Sequence, residues 1–86
     1  MSNIDFSTGF QYKWEEGFSI KVEIIKGTVV IRTNKAGLIS LVNHLTHLSE
    51  ERFADGYYFD LDQHNSLEEG SSDLVVIKDL RDIITD

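Results

Sequence analysis

An acidic and polar run in the last third of the chain carries the residue types best suited to binding or chemistry. Acidic and histidine side chains recur with the period of an exposed strand, and two glutamates follow in a polar loop. Carboxylates at this density can contact a basic protein surface or hold a divalent cation. We predict a partner-binding surface here and name it the acidic segment. Its members are Asp60, Asp62, His64, Asn65, Glu68 and Glu69.

The acidic segment resembles a calcium-binding loop only at its start. Asp60 and Asp62 have the initial spacing of that loop, but its sixth position is Asn65 instead of glycine and its twelfth is Ser71 instead of glutamate. These two positions are the most specific ones, so we expect no metal. A metal-dependent hydrolase that uses Asp60, Asp62 and His64 is kept as the weakest alternative function.

Other catalytic or metal-binding arrangements have little support. His44, His47 and Glu51 fall on one side of a predicted helix, but zinc prefers four ligands and the chain has no cysteine. We interpret these residues as part of a solvent-exposed helix face, with His44 near the boundary of the core. The serines lack the Gly-x-Ser-x-Gly turn of a nucleophile, and the isolated glycines form no phosphate loop. We therefore predict no catalytic residue, no cofactor and no enzyme activity.

Length and composition predict one small domain over residues 1–86. The net charge of −7 arises in residues 54–86, which hold nine acidic and two basic side chains. Such a surface repels phosphate backbones, so we expect no nucleic-acid partner. The chain start lacks a secretion signal, and no apolar stretch reaches the roughly 20 residues that span a bilayer. With no cysteine, these features predict a cytoplasmic protein without membrane contact.

Hydrophobic periodicity predicts a two-layer α+β fold, in which one amphipathic helix packs on one face of a mostly antiparallel sheet. The order is βββαββ, because the apolar period is two on either side of a central segment with helical period. The predicted strands cover residues 10–14, 18–24, 28–33, 57–62 and 73–78, and the helix covers residues 35–51.

The predicted helix has a clear start and an apolar stripe. Asn34 is a good N-cap. The stripe consists of Leu38, Leu41, Val42, Leu45 and Leu48, and we expect it to be buried against the sheet. Aromatic residues of the first strands, namely Phe10, Tyr12, Trp14 and Phe18, are expected to pack against it. The chain has no proline to protect its edge strands, which allows a homodimer through sheet edges and a self-associating scaffold as an alternative function.

Two blocks of sequence carry a family resemblance. The first is NKAGL at residues 34–38, with His44-Leu45 in the same helix. The second is Leu61-Asp62, followed by NSLEEGS at residues 65–71. In both blocks, and over residues 34–78 as a whole, the chain resembles the immunity proteins of bacterial polymorphic toxin systems, in particular immunity-protein family thirty-two.

This resemblance implies a non-enzymatic inhibitor that is encoded beside a toxin gene and silences the toxin domain by binding it. The chain departs from the family pattern at Tyr58 and Asp60, where histidines often stand in the resembling proteins. Toxin domains that act on nucleic acid tend to carry basic active clefts, and an acidic surface can mimic a phosphate backbone. We therefore expect a basic toxin domain, such as a nuclease, as the partner.

Overall fold

The computed structural model describes residues 11–80, which form four strands and one helix. The elements are β1 (Ile20–Ile25), β2 (Thr28–Thr33), α1 (Lys35–Leu48), β3 (Tyr58–Leu61) and β4 (Leu74–Ile77). The α+β class is confirmed. The predicted βββαββ order and single two-layer sheet are wrong, because the strands form two separate antiparallel sheets, β1–β2 and β3–β4.

The first hairpin, β1–β2, is closed by the two-residue turn Lys26-Gly27. Both turn residues have positive φ, 50° and 82°, which matches the right-handed twist of the flanking strands. The register places Val22 opposite Ile31 and Ile24 opposite Val29. Val22 is buried, so this face of the hairpin points to the core.

The first predicted strand is not formed by residues 11–14, and its residue 10 lies outside the described part of the chain. The backbone N–H of Lys13 donates to Nε2 of His44 at 2.9 Å, and that of Glu15 donates to Oγ of Ser40 at 2.8 Å. Helix side chains therefore satisfy the groups that a sheet would otherwise pair. Trp14 still packs against the core, as predicted for the aromatic cluster.

Helix α1 begins as the sequence predicts and ends earlier. Oδ1 of Asn34 accepts from the N–H of Gly37 at 2.8 Å and from that of Ser19 at 3.0 Å. Gly37 lies against the first hairpin, because an added Cβ would stand 2.7 Å from the carbonyl oxygen of Ser19. The helix ends at Leu48 instead of near residue 51.

The predicted buried face of α1 is wrong at Leu38, Val42 and Leu45, whereas Leu48 is buried and Leu41 packs against the core, as predicted. The residues that turn inward are Gly37, Ser40, His44 and Leu48. Leu38, Val42 and Leu45 are 53, 58 and 47% exposed. The inward face is thus partly polar, because Ser40 and His44 are needed as acceptors for the backbone of residues 11–15. His44 is fully buried, which also corrects its expected place at the core boundary.

The second hairpin, β3–β4, completes the core. Phe59 and Leu61 are buried and Asp60 is exposed, in keeping with the predicted strand period of the acidic side chains. The buried apolar core consists of Ile20, Val22, Leu48, Phe53, Phe59, Leu61 and Leu67. Within residues 11–80, no helix combines the length and apolar character that crossing a bilayer demands.

Residues 68–72 join the two hairpins by covering one edge of β1. The N–H of Glu68 donates to the carbonyl of Ile20, and that of Ser72 donates to the carbonyl of Val22, both at 2.8 Å. Oγ of the buried Ser71 accepts from the N–H of Val22 at 3.1 Å. The acidic segment is therefore anchored to the first hairpin at its C-terminal end.

Candidate functional site

The structure divides the acidic segment into three parts. The first part is Asp60, which lies on the outer face of β3, directly opposite Val75 of β4. The second part is the turn that contains Asp62, His64 and Asn65. The third part is Glu68 with Glu69, at the anchored end of the loop. The six residues therefore form a band along the surface and not one compact cluster.

Asp62 and Asn65 shape the turn after β3. Oδ1 of Asp62 accepts from the backbone N–H groups of His64 and Asn65, at 2.8 and 3.0 Å. In return, Oδ1 of Asn65 accepts from the N–H of Asp62 at 2.9 Å. Reciprocal bonds of this kind fix a turn locally. Asp62 and Asn65 thus hold the loop in shape, while the side chain of His64 is exposed.

Glu68 and Glu69 lie beside basic side chains of the first hairpin. They line an open depression of about 490 Å³ together with Lys21 and Arg32. Arg32 is also paired with Glu23 across the hairpin, at 2.9 Å. The charge of Glu68 and Glu69 is therefore partly balanced, and the most uniformly acidic part of the band is its β3 end.

The metal alternatives gain no geometric support. Among residues 11–80, no group of three or more histidine, cysteine, aspartate or glutamate side chains could hold a metal ion. His44 is enclosed by Trp14, Phe59 and Tyr12, with ring centroids 4.3 to 5.7 Å away. His47 instead contacts Glu50 at 3.2 Å on the helix surface.

Burial and ion pairing shift the pKa of a few groups near these surfaces. Burial lowers the pKa of His44, which favours the neutral ring that accepts from Lys13. Hydrogen bonds from Arg32 and His47 lower the pKa of Glu23 and Glu50, respectively. Burial raises the pKa of the Tyr12 hydroxyl. All four groups lie outside the acidic segment. Their pKa shifts arise from contacts within the fold and assign no chemistry to that segment.

Apolar residues around Asp60 are the part of the site that sequence reasoning missed. Tyr58 is 55% exposed, Val75 49% and Ile77 59%. Tyr58 faces Ile77 and Asp60 faces Val75 across the ladder, so all four share the outer face of the second hairpin. The alternating pattern of β3 placed Tyr58 outside, but β4 is apolar throughout and gave no sign of which residues turn outward.

Comparison with protein-family models gives a match over more than half of the chain. Residues 28–79 match the sequence model of a protein family described as immunity protein 32. This span contains β2, α1, β3, β4 and the whole acidic segment. No curated protein and no solved structure matches the chain.

Proposed function

The chain belongs to the immunity protein 32 family, and we propose that it binds and neutralises a cognate toxin domain through the outer face of the second hairpin and the adjoining acidic segment. It acts as an inhibitor by occupying the toxin, without a reaction or a cofactor of its own. The toxin surface that it contacts is basic, as in a nuclease with a cleft for nucleic acid.

The observation that carries this proposal is a carboxylate set among exposed apolar side chains. Asp60 stands between Tyr58, Val75 and Ile77 on an outward sheet face. An isolated monomer gains nothing from exposing such a group of apolar residues, which is typical of a protein interface. Tyrosine and a desolvated charge pair are also common centres of binding energy. A basic toxin side chain therefore fits Asp60, with apolar toxin groups around it.

The remaining members of the acidic segment have supporting roles in this interface. Asp62 and Asn65 preserve the turn that follows β3. His64, Glu68 and Glu69 are exposed at the edge of the surface, where charges accelerate association more than they strengthen the complex. Binding energy is thus concentrated near Asp60, and the loop contributes mainly to the association rate.

The test is co-expression with the C-terminal domain of the toxin encoded beside the gene, followed by measurement of binding at two salt concentrations. We expect Asp60→Lys to weaken binding by about 2 kcal/mol or more, because it places a cation against the basic partner in a desolvated contact. Glu68→Lys should mainly slow association at low salt. Thermal unfolding of each variant establishes that the fold is retained.

Glu51→Lys is the matched control. It makes the same change in net charge at an exposed position just after α1, so it should leave protection and affinity nearly unchanged. If Asp60→Lys and Glu51→Lys behave alike, the hairpin face is not the interface. If wild-type protein neither binds nor protects, the proposed toxin partner itself is wrong.

A further inference from the structure

The outer edge of β2 presents unpaired backbone groups. In this hairpin, every second residue of β2 exchanges backbone hydrogen bonds with β1. The N–H of Asn34 donates to the carbonyl of Ser19 at 3.2 Å, which shows which residues these are. Even-numbered residues of β2 therefore pair with β1, and the N–H and C=O groups of Val29, Ile31 and Thr33 point away from it. Within residues 11–80, no hydrogen bond reaches these outward groups.

The β2 edge also lacks the devices that usually protect an edge strand. β2 has six residues and no proline, and its one charge, Arg32, is paired with Glu23. The edge of β1 is covered at Ile20 and Val22 by residues 68–72. The edge of β4 has only four residues and is flanked by Asp73 and Asp79. The β2 edge is therefore less protected than either of these two edges.

Exposed apolar side chains lie on the core-facing side of this hairpin and on α1. Ile24, Val29 and Ile31 are 61, 60 and 42% exposed, yet the register puts them on the same face as the buried Val22. Helix α1 exposes Leu38 and Leu45 one turn on either side of Leu41, which packs against the core. We name this surface the apolar shoulder. It comprises Ile24, Val29, Ile31, Leu38, Val42 and Leu45.

We propose that the β2 edge and the apolar shoulder bind a second copy of this chain, forming a twofold dimer with a continuous four-stranded sheet. Antiparallel β2 strands pair with Ile31 opposite Ile31 of the other copy and Val29 opposite Thr33. All outward groups are then satisfied by about six hydrogen bonds. The strand is self-complementary because its three outward residues are symmetric about Ile31, as a twofold interface requires.

The charge at this edge argues against the proposed basic toxin as its partner. The proposed toxin surface is basic, and this edge is basic too. Its basic residues are Lys26 in the turn, Arg32 in β2 and Lys35 at the start of α1. The contact uses β2 of the first hairpin, whereas Asp60 lies on β3 of the second. Glu68 and Glu69, at the other end of the acidic segment, lie closer, in the depression that Arg32 and Thr33 also line. The dimer therefore leaves the hairpin face around Asp60 accessible in each copy.

The register can be tested by cysteine cross-linking, because the chain has no cysteine of its own. In the proposed ladder the two Cα atoms at position 31 lie about 5.5 Å apart, within the range of roughly 4.4–6.8 Å that a disulfide spans. The two Cα atoms at position 29 lie roughly 14 Å apart. Under mild oxidation, Ile31→Cys should form a disulfide-linked dimer at least about tenfold faster than Val29→Cys.

Val29→Cys is a demanding control because Val29 is more exposed than Ile31, so random collisions would link it at least as readily. Sedimentation of the wild type over a range of concentrations should show a monomer–dimer equilibrium. Ile31→Lys should weaken that dimer about tenfold or more, and Val75→Lys on the β4 edge should not. Equal cross-linking of the two cysteine variants, or a wild type that stays monomeric at about millimolar concentration, would overturn the proposal.

Discussion

His44 gives the folded chain a pH dependence above the range of its carboxylates. Burial lowers its pKa from the ordinary 6.5, and protonation would put a second N–H against that of Lys13. Near pH 6.5, His44 therefore binds a proton in the unfolded chain but not in the folded chain. The free energy of unfolding should be greatest above pH 6.5 and should fall as pH drops toward the folded pKa, by at most about 1.4 kcal/mol per pH unit.

Urea denaturation in steps between about pH 5 and pH 7.5 measures this slope. Glu23 and Glu50 have a pKa below the ordinary 4.5, so their stabilising effect is present above that pH and is lost only at lower pH. His44→Gln keeps an acceptor without a titration and should flatten the slope, whereas His64→Gln should not. A titration of His44 in the native wild type by NMR gives the same answer if the glutamine variant unfolds. An unchanged pKa there would contradict the prediction.

Gly37 lowers the intrinsic helix propensity of the first turn of α1 but allows that turn to pack closely against the first hairpin. Glycine costs about 1 kcal/mol in a helix relative to alanine. Here it lets the first turn of α1 approach the start of β1, where a Cβ would stand 2.7 Å from the carbonyl of Ser19 and 3.0 Å from Cγ1 of Ile20. Close packing against the first hairpin therefore accounts for a glycine in the first turn of the helix.

Among the secondary-structure elements, α1 offers the clearest test of stability, because two of its leucines differ widely in burial. Leu48 is 5% exposed and Leu45 is 47% exposed. Leu48→Ala should therefore lower the free energy of unfolding by about 2–5 kcal/mol, and Leu45→Ala by less than about 1 kcal/mol. Denaturant melts at low protein concentration measure both values in the monomer. Similar losses for both variants would mean that Leu45 is buried after all.

Sequence reasoning identified the first hairpin, the N-cap at Asn34 and both strands of the second hairpin because each follows from short-range patterns. It placed Leu38, Val42 and Leu45 of α1 in the core, because the spacing of apolar residues carries no information about the hydrogen bonds that Ser40 and His44 accept from backbone N–H groups 25 and 31 residues away. The same bonds explain why residues 11–14 do not form a strand. Within the site, the apolar setting of Asp60 required the β3–β4 register, which the uniformly apolar β4 does not encode locally.

At the scale of the whole molecule, the two proposed interfaces should respond to salt in opposite directions. Each copy carries a net charge of −7, so self-association opposes like charges and should tighten as salt screens them. Binding of a basic toxin should weaken over the same range. Sedimentation and toxin binding, measured between about 0.05 and 0.5 M salt, test the pair. If both interactions change in the same direction, the assignment of separate surfaces fails.

The cover that residues 68–72 place over β1 also sets an order of events during synthesis. The first hairpin joins neighbours in sequence and can form within about 1–10 μs, well before a ribosome has added the residues that close the edge. The carbonyl groups of Ile20 and Val22 accept hydrogen bonds from residues about 50 positions further along the chain. Closing a loop of this length adds to the folding barrier. During that interval the nascent hairpin has both edges bare. Chaperone capture or premature strand pairing should therefore concentrate on chains arrested before residue 72.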